Sequence, residues 1–160
     1  MKIGVISDTH NYLDPKALQF LSGVDHVLHA GDIGLPWLIA ELEAIAPVTA
    51  VSGNTDDPEL HYPDTRLIEL DGRKFLLHHI IDPLVPGAHI LERIERDRPD
   101  VIVFGHTHKP FCQTINGIFY FNPGYAGKSR FGMPRTLAIL HSKPSGLRHE
   151  YVPLTEPTSG

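Results

Sequence analysis

Three observations predict a single mixed α/β domain. Five short, β-branched apolar runs stop abruptly at polar clusters, amphipathic patterns lie between them, and Asp71-Gly72 and Asn116-Gly117 mark tight hairpins. The 160 residues, 41% of them hydrophobic, suffice for one core and leave no room for a second of full size.

Each element follows from local chemistry. The first run, Ile3 to Ser7, ends at Asp8-Thr-His10 and is followed by a helical pattern over Pro15 to Leu21. Val24 to Leu28 ends at His29-Ala-Gly-Asp32. A second helix is expected over Pro36 to Ala46, with Leu35, Leu38, Leu42 and Ile45 on its sheet-packing face. Both helices open with proline, whose fixed φ suits a first helical position. Val48 to Val51 runs into Gly53-Asn-Thr-Asp-Asp57, and Phe75 to Leu77 into His78-His79. A third helix is expected over Gly87 to Arg96, before Val101 to Phe104 delivers Gly105-His-Thr-His108. Thr136 to Leu140 and Leu147 to Val152 form two further strands around a Lys143-Pro-Ser-Gly146 turn. The expected domain is 1–154, and 155–160, without apolar content, is expected to fray.

Composition narrows the function. A formal charge of -5 lacks the basic balance of a protein that holds polymeric nucleic acid by phosphate neutralisation. The lone Cys112, read as the filler of a small apolar site, excludes an internal disulfide and a thiolate zinc site and suits a reducing cytoplasm. No signal-peptide core precedes Asp8, and no apolar run approaches the roughly 18 residues of a membrane span, so a soluble, cytoplasmic protein with no membrane partner is expected. There is no P-loop and no Gly-x-Gly-x-x-Gly.

Eleven histidines stand out, because neutral imidazole is the commonest metal ligand. Single motifs carry little: composition alone gives roughly 0.75 chance occurrences of Asp-x-His. Asp8, Asp32 and Asn54 singly would pass as turn or helix-cap residues. The information lies in the ordered series, in which Asp-x-His, Gly-Asp, Gly-Asn-x-Asp, a strand-end His and Gly-His-x-His each directly follow a strand. Together these supply four imidazoles, two carboxylates and one amide oxygen, a donor set suited to Mn, Fe, Zn, Co or Ni. Seven ligands exceed the needs of one ion that must also hold water and substrate, so two ions sharing a ligand fit better.

The series Asp8-Thr-His10, Gly31-Asp32, Gly53-Asn54-x-Asp56, His79 and Gly105-His-Thr-His108 resembles the calcineurin-like metallophosphoesterases, specifically their small single-domain prokaryotic phosphodiesterase branch. The resemblance runs from Met1 to about Leu140 and includes Asn122-Pro-Gly124, similar to that branch's substrate-side loop. It implies two mixed β-sheets packed as a sandwich and flanked by helices, an αββα arrangement with a dinuclear centre at the strands' carboxyl edge. It implies Asp8, His10 and His108 on the first ion, Asn54, His79 and His106 on the second, and Asp32 as the bridge. The implied reaction is in-line attack by a metal-bridging hydroxide on a small phosphodiester, with Asp8, His10, Asp32 and Asn54 as the catalytic group. Manganese is the first choice of metal, with nickel, cobalt, iron or zinc as alternatives. A rival implication is a non-catalytic scaffold on the same fold, like the retromer subunit. Self-association into a homo-oligomer is left open.

The chain departs from that pattern in three places. Thr55 stands where many relatives have a histidine able to protonate the leaving group, and a hydroxyl is no general acid near pH 7. His78-His79-Ile80 replaces a single His followed by Gly; the two-residue strand period assigns His79 to the site and His78 to the opposite face, unless a one-residue bulge reverses them. Tyr125 follows the Asn122-Pro-Gly turn where a small residue is common, so it is a candidate substrate contact with Asn122, Lys128 and Arg130. His29, His78 and Asp56 are candidates for supporting the ligands from behind. Trp37 is read as packing, and His26, His61, His89, His141 and His149 as surface or structural.

Overall fold

The computed structural model describes residues 1–154, so the expected tail lies outside the described residues. In chain order the elements are β1 (Lys2–Ile6), α1 (Pro15–Leu21), β2 (His26–His29), α2 (Pro36–Glu43) and β3 (Val48–Ala50). A 3-10 turn (Pro58–Leu60) leads to β4 (Thr65–Leu70), β5 (Arg73–His78), α3 (Ala88–Asp97) and β6 (Val101–Val103). The chain closes with β7 (Phe111–Ile115), β8 (Ile118–Asn122), β9 (Thr136–Lys143) and β10 (Gly146–Pro153).

Among the described residues, ten strands form two five-stranded mixed sheets, ordered β10-β9-β1-β2-β3 and β4-β5-β6-β8-β7. Each has three parallel strands, β1-β2-β3 in one and β5-β6-β8 in the other, extended by antiparallel neighbours. The parallel registers pair Ile6 with His29 and His29 with Ala50, then Leu77 with Val103 and Val103 with Phe121. Parallel pairing in register brings the carboxyl ends of these strands to one edge, where an α/β sheet presents its site.

Three apolar layers hold the sandwich. Ile3, Val5, Leu28, Phe75, Val103 and Phe121 fill the space between the sheets. Residues one position out of phase, such as Ile6, face α1 and α2, where Leu21, Leu38 and Leu42 meet them. On the far side Leu76, Ile102 and Tyr120 pack with Ile90 of α3. Each such side chain contributes about 1.5–3 kcal/mol by leaving water.

Two helical expectations need correction. Leu35 is not on the buried face of α2: it caps the helix in an extended conformation and is 55% exposed, while Ile39 is buried beside Leu38 and Leu42. The helical conformation also ends at Glu43 rather than Ala46. In α1, Asp14 caps the first turn by accepting the Lys16 N–H at 2.9 Å and pairs with Arg135 at 2.9 Å, fastening the helix to the chain entering β9. No helix of the described residues is long and apolar enough to cross a membrane.

Candidate metal centre

The loops after β1 and β2 are zipped together by backbone hydrogen bonds, from Asp8 N–H to the Gly31 carbonyl (3.0 Å) and from His10 N–H to the Asp32 carbonyl (2.9 Å). The loops after β5 and β6 are joined likewise, Gly105 N–H donating to the His79 carbonyl at 2.9 Å. Such tight reversals force unusual backbone: Asp8 (φ 57°), His10 (46°), Asp32 (55°), His106 (71°) and His108 (62°) are all left-handed. Non-glycine residues seldom adopt this region, and they gather at functional sites where the surroundings hold them there. Glycine is required where backbone passes close to these side chains. A Cβ on Gly53 would lie 2.1 Å from Asp32 Oδ1, and one on Gly105 would lie 2.2 Å from Ser7 Oγ.

This backbone assembles two trios, Asp8 with His10 and His108, and Asp32 with His79 and His106, each offering ligand atoms within 4.8 Å of one another. Asp8 Oδ2 is engaged by the Ser7 hydroxyl (2.8 Å) and the His106 N–H (3.1 Å). Its Oδ1 has no hydrogen-bond partner and faces Nε2 of His108, His79 and His10 at 3.4, 3.8 and 3.9 Å. Asp32 divides its oxygens in the same way: Oδ1 accepts the Thr55 N–H at 2.9 Å, and Oδ2 lies 3.2 Å from His79 Nε2 and 3.7 Å from His10 Nε2. The buried Nε2 atoms of His10 and His79 also lack hydrogen-bond partners. Buried polar atoms are ordinarily satisfied. A buried carboxylate oxygen and two imidazole nitrogens that converge without partners fit a divalent cation, and the absence of thiolate suits the harder transition metals.

Supporting groups fix the ligand atoms. His79 donates from Nδ1 to the Ala30 carbonyl (2.7 Å), which leaves Nε2 as the metal-facing nitrogen. Asn54 Oδ1 lies 3.0 Å from His106 Nδ1, so the amide oxygen sits beside the second trio. Asp56 accepts backbone N–H groups of Ile33, Gly34 and Gly53, stapling the loops that carry Asp32 and Asn54. His29, fully buried behind the trios, accepts the Gly31 N–H at Nδ1 (3.1 Å) and bonds Thr9 Oγ1 from Nε2 (2.9 Å).

Charges are graded across the centre. Burial lifts the Asp8 carboxyl above the usual range, partly opposed by His79. Burial acts the same way on Asp32, but His79 and the Thr55 N–H overcome it and hold the group well below that range. His79 is raised: burial works against its charge and the neighbouring Asp32 and Asp8 outweigh it. Burial pushes His108 down and takes His29 to about 3, so His29 stays neutral.

His78 lies outside the trios, with Nδ1 2.8 Å from the Thr65 hydroxyl of β4. Two expected substrate contacts make internal contacts. The fully buried Asn122 gives its NH2 to the Gly105 carbonyl and Thr107 Oγ1, and its oxygen accepts the Gly124 N–H, so the amide shapes the His106 loop. Tyr125, 2% exposed, lies beneath the first trio with its ring centroid 4.7 Å from that of His108, and its hydroxyl donates to the Lys128 carbonyl. Lys128 and Arg130 are exposed on the adjoining loop, and Arg130 is near enough for its charge to disfavour protonation of His108. Cys112 is exposed rather than filling an apolar site, with Sγ 3.5 Å from His149 Nε2 across to β10. The indole of Trp37 bonds Asn11 at 2.7 Å. The sequence reading missed Ser7, Thr9 and the Ala30 carbonyl; a serine directly before the strand-end Asp8 was the available signal.

The family model of the calcineurin-like phosphoesterase superfamily domain matches residues 1–145. The chain belongs to this superfamily. A probable metallophosphoesterase of Methanothermobacter thermautotrophicus is 33% identical over 149 residues, covering 87% of this chain and 85% of the relative. Among solved structures, an archaeal phosphodiesterase superposes with a TM-score of 0.76 at 27% identity, covering 95% of this chain and all of the other. Vps29 of Entamoeba histolytica, solved in complex with zinc, shares the fold with a TM-score of 0.74 at 21% identity, over 97% of this chain and all of that one. Two mixed sheets flanked by helices match the architecture of calcineurin-like phosphoesterase structures, and in this chain the candidate ligands lie at one edge.

Proposed function

We propose that this calcineurin-like phosphoesterase hydrolyses small phosphodiesters at a dinuclear metal centre, manganese being the first choice of ion. The observation that carries the reading is the convergence of Asp8 Oδ1, His10 Nε2 and His79 Nε2, buried and without hydrogen-bond partners, between two trios of donors. Asp8, His10 and His108 would hold one ion, and Asn54, His79 and His106 the other. Asp32, whose Oδ2 lies within 3.7 Å of imidazoles from both trios, would be the shared ligand. Two divalent ions held there would supply an activated water near neutral pH and positive charge for the phosphoryl oxygens.

The protein's own contribution is placement. Ser7 and the His106 N–H hold one oxygen of Asp8 so that the other points inward, and the Ala30 carbonyl fixes the His79 tautomer. Asn54 is exposed at the rim, and Lys128 and Arg130, exposed on the adjoining loop, would offer positive charge to phosphoryl oxygens. Thr55 offers no acid near pH 7, which favours esters whose alcohol departs without a protein-derived proton. The likeness to an archaeal phosphodiesterase supports diesters over monoesters. The scaffold alternative draws on the likeness to Vps29, and the chemically complete donor set weighs against it.

The test strips the protein with chelator, restores Mn, Ni, Co, Zn, Fe or Mg singly, and follows a bis-aryl phosphodiester beside an aryl monoester. Metal-dependent turnover with diester preference is expected. Absence of metal-dependent hydrolysis of both esters would overturn the proposal.

A further inference from the structure

A cleft of about 240 Å³ opens beside the second trio and is lined by Ser52, Asn54, Asp64, His78, His79 and Ile80. Asn54 and His79 belong to the proposed centre, so the cleft begins where a phosphoryl group would sit. Its volume falls below the roughly 300–1,000 Å³ of pockets that enclose drug-sized ligands, and a short alcohol would fill it. The lining is unusual for a site that handles anions, because it includes a carboxylate and no lysine or arginine. Asp64 is exposed, and Ser52 donates to its Oδ1 at 2.7 Å. Among the described residues no hydrogen bond or ion pair occupies Oδ2. His78 is turned to Thr65, so the imidazole at the cleft wall is already held at Nδ1.

A second anionic group on the substrate would meet Asp64 with no compensating cation, whereas an ammonium would pair with it while the ester phosphate stays at the metals. We infer that the Ser52–Asp64–Ile80 cleft is a subsite for the alcohol that stays on phosphorus, selecting phosphodiesters whose retained alcohol carries an ammonium group, with Asp64 as the specificity-determining residue. This rests on the phosphoesterase reading above. Asp64 fixes the cation, Ser52 orients the carboxylate, and Ile80, 49% exposed, covers the alkyl chain between ammonium and ester oxygen. A carboxylate this open to water gives modest discrimination, roughly three- to fivefold.

The test titrates 2-aminoethyl and 3-aminopropyl phosphate into the manganese-loaded protein by calorimetry, against their uncharged propyl and butyl isosteres and 2-hydroxyethyl phosphate. Bis-aryl phosphodiester hydrolysis is followed on the same preparation. The better-fitting amine should bind about three- to fivefold more tightly than its isostere. Asp64→Asn, which keeps an oxygen for the Ser52 hydroxyl, should abolish that ratio by weakening the amine alone. Equal affinity of amine and isostere, equal affinity of the hydroxyethyl ester, no binding by any of them while the diester is hydrolysed, or a preference that survives in Asp64→Asn would each overturn the subsite and leave the phosphoesterase reading standing. No binding together with no hydrolysis would overturn both.

Discussion

His79 Nε2 and Asp32 Oδ2 stand 3.2 Å apart without a hydrogen bond between them, each held from behind by backbone: the Ala30 carbonyl on His79 and the Thr55 N–H on Asp32. The two come from different sheets, and their lone pairs point into one space. His79→Ala removes a proposed ligand of the second ion while leaving Asp8, His10 and His108 intact. Metal analysis of the purified variant should give about one ion per chain instead of about two, with diester hydrolysis reduced by at least about a hundredfold. A full complement of metal with undiminished turnover would remove His79 from the centre.

Asp56 touches none of the proposed ligand atoms, yet its carboxylate receives N–H groups from both loops that bear Asp32 and Asn54. Asp56→Ala should cost about 2 kcal/mol in urea unfolding, as expected for losing hydrogen bonds to a charged acceptor. It should also weaken metal binding by about 10- to 100-fold, measured by competition with a chromogenic chelator.

His29 provides a pH signature. Its ordinary value is 6.5, and burial lowers it to about 3 in the fold. Below pH 6.5 the unfolded chain takes up a proton that the folded chain refuses, so this contribution to stability is complete above 6.5 and is lost as the pH falls toward 3. The slope is about 1.4 kcal/mol per pH unit, or about 2 kcal/mol between pH 6.5 and 5. Urea titrations of metal-free wild type and His29→Gln should show the wild type losing about that much more than the variant over this interval.

Asp14 acts in the opposite sense. Burial opposes its ionisation, but the Lys16 N–H and Arg135 prevail and lower its value in the fold. Its contribution is present above the ordinary carboxylate range and disappears as the pH falls through the lowered value. Asp14→Asn should be less stable than wild type at pH 7, by about 1 kcal/mol or more for the cap and ion pair. The two unfolding curves should converge on acidification.

Most of the frame was legible because it depends on local period. Runs such as Val101-Ile-Val end where their polar clusters begin, and the two-residue alternation of β5 puts His78 toward Thr65 and His79 into the second trio. What escaped is what neighbours in space decide. Asn122 has the right residue type for a substrate contact, and only the approach of Gly105 and Thr107 shows that its amide is already committed. Tyr125 reads as a candidate substrate contact, and only the folded loop shows its ring packed against that of His108. Cys112 meets His149 through the β7-β8 hairpin and the antiparallel β9-β10 pair, a proximity no spacing in the chain announces.

Each trio draws on both sheets: Asp8 and His10 follow β1 while His108 follows β6, and Asp32 follows β2 while His79 and His106 follow β5 and β6. An ion in either trio would therefore act as a rivet across the seam of the sandwich. At that edge the layers could not splay without breaking coordination, whereas the opposite edge would keep its apolar filling and the hydrogen bonds that tie Asp71 and Arg73 to Ser142 and Lys143 of β9. Loss of metal would then first unfasten one side of the seam and leave the helices' packing against their own sheets intact.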